Sequence, residues 1–129
     1  TPYQILDEIK SVSSAEINEF QNNGHILIRD IVDQKTAEYF GQVIGHAADQ
    51  HNQEKRKLED RDTYGKAFLQ IMNLWRVDPQ VKRFVMAKRF AKIASDLLGV
   101  EKVRLYHDQA LFKEAGGGPT PWHSGYTKF

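Results

Sequence analysis

Imidazole titrates near neutrality and ligates metals, so the five histidines, His25, His46, His51, His107 and His123, are the first candidates for chemistry. The chain has no cysteine, which removes both a disulfide framework and a thiolate metal site. His46 lies one helical turn from Asp49 and Gln50, but neither spacing forms a recognised ligand motif. His46 and His51 are read as solvent-facing, and so is His25 at the entry to a strand. His107 alternates with Gln109, Leu111 and Lys113 along a predicted strand. That position suits a polar pocket or a hydrogen-bonded core histidine. His123 stands apart because of what precedes it: Gly116, Gly117, Gly118, Pro119, Thr120, Pro121 and Trp122. This is a flexible and then stiff connector that delivers an aromatic and an imidazole together.

The elements that must position these residues are legible in the capping and periodicity. Ser13 and Glu16 have the spacing of a capping box, Ile17 and Phe20 share a face, and Gly24 predicts a left-handed stop. Residues 25–29 form a short apolar run that predicts a strand. Asp33 suits an N-cap for a helix through Ala37, Phe40, Val43, Ile44 and Ala47, fading into the alternating charges of 54–62. Tyr64 and Gly65 break the pattern, and 68–75 is expected to be extended. Pro79 belongs in the first turn of a short helix. A last helix starts near Lys88, with Gly99 closing it. Residues 103–114 predict the longest strand, with Val103, Leu105, His107, Gln109, Leu111 and Lys113 on one face. Neither face is uniformly apolar, so the strand suits the lining of a polar cavity, as in a small barrel. Residues 1–12 form an N-terminal arm or a short helix.

The bulk numbers bound the class. A chain of 129 residues is one domain or part of one. With 18 basic and 17 acidic side chains, the net charge of +1 provides no field to attract nucleic acid or a membrane surface. No apolar stretch reaches the roughly 18 residues of a membrane span, and no signal peptide is visible. The default compartment is the cytoplasm.

Taken together, residues 103–123, the run 64–75, Asp78 with Pro79, the helix ending at Leu97, Leu98 and Gly99, and the Ser-Ala-Glu helix followed by a Gly turn and apolar strand resemble the N-terminal half of phytanoyl-CoA-dioxygenase-like proteins. The resemblance covers about 13–123. It implies an α+β fold, with N-terminal helices and the first strands of a double-stranded β-helix of the jelly-roll or cupin kind, here incomplete. It also implies a non-haem Fe(II) site of two histidines and one carboxylate, with open positions for 2-oxoglutarate and oxygen. His123 falls where the first ligand histidine of a His-x-Asp motif would be. Gln109 and Lys113 are expected on the cofactor side, and a small-molecule substrate would enter once the barrel is complete.

The match to the family pattern then lapses. Ser124 and Gly125 follow His123, so glycine occupies the carboxylate position. Some iron halogenases of the superfamily carry Gly or Ala there, and the alternative is a broken motif with 124–129 as a divergent tail. The second histidine and the arginine that grips 2-oxoglutarate have no counterpart. The expectation is a chain that turns over nothing alone and binds neither iron nor cofactor tightly. Its rivals are a non-catalytic module that self-associates through the open edges of a partial barrel, and an inert remnant.

Overall fold

The computed structural model describes residues 4–123. Its helices are α1 (Gln4–Asp7), α2 (Ser14–Asn23), α3 (Gln34–His51), α4 (Thr63–Ala67), α5 (Pro79–Val85) and α6 (Lys88–Leu98). Strands β1 (Leu69–Met72) and β2 (Gln109–Phe112) and two 3-10 turns, Leu58–Asp60 and Leu74–Arg76, complete the order. The fold is α+β.

Helix boundaries follow the caps. Ser13 Oγ accepts from Glu16 N–H at 3.1 Å while Glu16 accepts from Ser13 N–H at 3.0 Å, and Gly24 closes α2 at φ 76°. These bonds to Ser13 hold the Glu16 carboxyl below its ordinary range. Asp33 caps α3 through Thr36 N–H at 2.7 Å, which lowers its own carboxyl pKa as well. Asp78 accepts from Gln80 and Val81 N–H, with Pro79 in the first turn of α5. Gly99 ends α6 at φ 69°.

Helix α3 is the organising element because its apolar residues recur at helical spacing. Near its start, Phe40 packs with Leu6 of α1 and Ala87, and its ring lies 4.9 Å from Phe84, which lies 5.0 Å from Phe90. Near its end, Ala47 and Ala48 meet Ile71 of β1, Leu74 and Val81 of α5. Helix α6 crosses α2, where Gln21 donates to the Leu97 carbonyl at 2.6 Å.

The sheet is smaller than the strands expected from the sequence. Among the described residues it has two strands, antiparallel, with Leu69 opposite Phe112 and Met72 opposite Gln109. The 103–114 strand is reduced to Gln109–Phe112, and 25–29 is not a strand. A strand exists only where a neighbour pairs its N–H and C=O groups, and β1 offers four residues. Tyr64 and Gly65 do not break a helix; they lie inside α4, where Asp62 accepts from Gly65 N–H at 2.8 Å. Helix α3 stops at His51, before the charged run rather than fading into it. Residues 68–75 are extended over β1 and then tighten into a 3-10 turn. The arm at 1–12 contains α1, with Leu6 fully buried.

Candidate functional site

The segment that carries His123 leaves β2 and is held down along its length. Arg61, only 9% exposed, pairs with Glu114. Gly118 N–H donates to the Lys66 carbonyl of α4 at 2.7 Å. This close approach requires glycine at the neighbouring position: a Cβ on Gly117 would lie 2.8 Å from the Lys66 carbonyl oxygen and 2.9 Å from that of Glu114. Lys113 Nζ donates to the Gly118 carbonyl at 2.9 Å and to Thr120 Oγ1 at 3.3 Å, and stands 4.5 Å over the Phe68 ring. The glycines thus turn the chain, and Lys113 staples the turn shut.

At the end of this strap Trp122 is fully exposed. His123 is exposed too, and its Nδ1 lies 2.8 Å from the Pro121 carbonyl oxygen. A carbonyl only accepts, so Nδ1 carries a proton in this contact, and in the neutral ring Nε2 is then the nitrogen with the lone pair. This is the form in which imidazole ligates a metal, with the second nitrogen oriented by a backbone acceptor.

The entry to β2 has its own anchor. Asp108 accepts from Leu74 N–H at 3.0 Å and Trp75 N–H at 2.8 Å, and its carbonyl accepts from Asn73 N–H. Asn73 sits at φ 58°, the left-handed region that asparagine tolerates better than most residues. These bonds cap the Leu74–Arg76 turn from 34 residues away in sequence. Sequence reasoning missed Asp108, Arg61 and Glu114, because their partners lie tens of residues away and leave no local signal.

In the register of the sheet, Leu69, Ile71, Ala110 and Phe112 share the face towards α3, and Gln70, Met72, Gln109 and Leu111 share the other. That second face is largely bare: Met72 is 50% and Leu111 48% exposed. Gln109 is exposed and its side chain bonds to neither Lys113 nor His123, so the structure links Lys113 to the strap and leaves Gln109 apart. His25, His46 and His51 are exposed. His107 is half-buried, with its ring 4.7 Å from that of Tyr106. Among the described residues no group of three histidines, cysteines or acids could hold a metal ion. Ser124 and Gly125 lie outside the described residues. No described helix is long and apolar enough to cross a membrane.

The family model for phytanoyl-CoA dioxygenase (PhyH) matches residues 20–129, and the chain belongs to that family. The family is generally Fe(II)- and 2-oxoglutarate-dependent. No curated protein and no solved structure matches the chain.

Proposed function

We propose that this chain carries the N-terminal part of an Fe(II)- and 2-oxoglutarate-dependent oxygenase domain, with His123 as a ligand to the iron. Gln109 and Lys113 belong on the cofactor side of the completed barrel. The observation that carries this reading is the family match over the segment in which His123 is held as its Nδ1–H tautomer. The described residues alone do not fit a complete centre, since an open facial site needs about three protein ligands. No catalytic step is therefore assigned to them, and the chain by itself is expected to turn over no substrate. Iron and 2-oxoglutarate would supply the oxidising chemistry. What this chain contributes is a ligand fixed in tautomer and in position.

Mn(II) titration followed by proton NMR tests the assignment, because paramagnetic broadening registers even weak binding. The His123 ring signals should broaden first, and His123→Ala should remove the effect. Broadening centred on His46, His51 or the charged run would displace the assignment.

A second reading, a non-catalytic module that self-associates, is favoured by the bare sheet face with Met72 and Leu111, and by Leu105 and Tyr106, exposed at 36% and 91%. Exposed apolar surface of this kind is usually covered by a partner. Light scattering should then give a dimer at micromolar concentration. A monomer of 14.9 kDa that unfolds cooperatively would rule the module out.

A further inference from the structure

The phase of the β1–β2 ladder leaves one edge of β1 open towards a groove. Asn73 N–H donates to the Asp108 carbonyl, which makes Asn73 and Asp108 a hydrogen-bonded pair one step beyond Met72 and Gln109. Hydrogen-bonded pairs alternate in an antiparallel ladder. Ile71 with Ala110 and Leu69 with Phe112 are therefore the other bonded pairs. The N–H and C=O groups of Gln70 and Met72 point the opposite way. Among the described residues they have no main-chain or side-chain partner.

Those groups border a groove of about 680 Å³ between β1 and the end of α3, lined among others by Gln50, His51, Asn52, Gln53, Glu54 and Gln70. Its chemistry is specific. Four of these six are carboxamides, each able to donate and accept. Asn52 folds the wall by accepting from Glu54 N–H at 2.9 Å. Glu54, the one carboxylate of the lining, is already engaged by Arg56, which binds both its oxygens at 3.0 and 2.8 Å. Among the described residues no unpaired carboxylate or ammonium lines the groove.

We infer that this groove accepts an extended, uncharged peptide segment of a partner polypeptide, laid against Gln70 and Met72 as a third strand. Main-chain amides answer the open edge of β1 on one side, and the carboxamide wall can bond the far edge of the incoming strand. Strand addition of this kind takes affinity from the backbone and selectivity from the walls. The size of the groove is that of a ligand pocket rather than a domain interface, which favours a short segment over the edge of a folded second copy. The inference does not depend on iron binding.

Amide hydrogen exchange by NMR on the 129-residue chain provides the test, with the capped peptide acetyl-Gln-Ala-Leu-Phe-amide as probe. This is the sequence of β2, which already pairs with β1 from the other side. At a peptide concentration about ten times its Kd, exchange at Gln70 and Met72 should slow about tenfold. Leu69 and Ile71, already bonded to β2, should not change. The acidic peptide acetyl-Glu-Ala-Glu-Phe-amide should give no slowing. Met72→Pro removes an N–H that lies outside the ladder, as proline at an edge can, and should abolish the slowing at Gln70 with β1–β2 intact. If that variant fails to fold, the acidic peptide still decides. No slowing with the neutral peptide, or equal slowing with the acidic one, would overturn the inference. So would slowing that survives in folded Met72→Pro. Protection of Gln70 and Met72 before any peptide is added would overturn it too, and concentration dependence of that protection would point to a second copy instead.

Discussion

The helical layer around Phe40 and the strand pair around Ile71 are built on different principles. In the helical layer most elements bring a cap or a glycine stop of their own, and α1, α3, α5 and α6 close over Leu6 and Phe40, which are buried almost completely. The strand pair has one face covered by α3 and Val81, and the other face is largely bare. It keeps its shape through long-range polar ties: Asp108 to Leu74 and Trp75, Arg61 to Glu114, Gly118 to Lys66. The helices supply stability, and the strands and strap supply position. A region held by a few directional bonds has open groups left over for ligands, and the candidate site lies there.

Breaking the helical side should have the largest effect. Phe40→Ala empties the centre of the aromatic cluster and should cost about 3–5 kcal/mol in urea unfolding, a large part of the roughly 5–15 kcal/mol a domain of this kind has. Trp122→Ala, at a fully exposed position, should stay within about 0.5 kcal/mol. Equal losses at the two positions would end the comparison.

On the strand side the effects should be smaller and local. Asp108→Ala leaves the Leu74 and Trp75 N–H groups without their acceptor, at about 1–3 kcal/mol. Amide exchange at those two residues should accelerate more than at α6. Gly117→Ala forces a Cβ against the Lys66 carbonyl and should cost about 1–3 kcal/mol. The His123 ring signals should shift with it, because the strap is displaced. Unchanged His123 signals would show that the strap does not position the imidazole.

The smallest expected effect is at Glu54. Its hydrogen bonds from Arg56 bring the carboxyl from an ordinary 4.5 down to about 2. The folded state therefore gains from this pair above pH 4.5 and loses the gain as pH falls from 4.5 towards 2. Arg56→Ala should flatten that part of the stability profile by a small amount, as an exposed pair is screened. A profile unchanged by the substitution would remove the pair from the account.

What was legible in the sequence divides along the same line. Ser13, Gly24, Asp33, Pro79 and Gly99 act within a few residues of themselves, and their caps and stops stand where the sequence places them. Strand length was not legible at 103–114, because a strand is set by its neighbour and β1 offers four residues. The run at 25–29 has strand composition but no strand beside it among the described residues. Gly65 misled because a glycine in a first turn, with its N–H taken by Asp62, need not break a helix. Of the candidate site, His123 is an expectation from the family pattern. The fixing of its tautomer by Pro121 and the staple from Lys113 to Gly118 and Thr120 needed coordinates.

The central claim is that His123 is one ligand of an iron centre whose other ligands the described residues do not provide. Anaerobic calorimetry with Fe(II) or Mn(II) on the chain and on His123→Ala tests it most directly. The account predicts weak binding or none by heat, with no tight one-to-one transition in either protein. A tight one-to-one isotherm that His123→Ala abolishes would contradict it and show that this chain holds a complete metal centre.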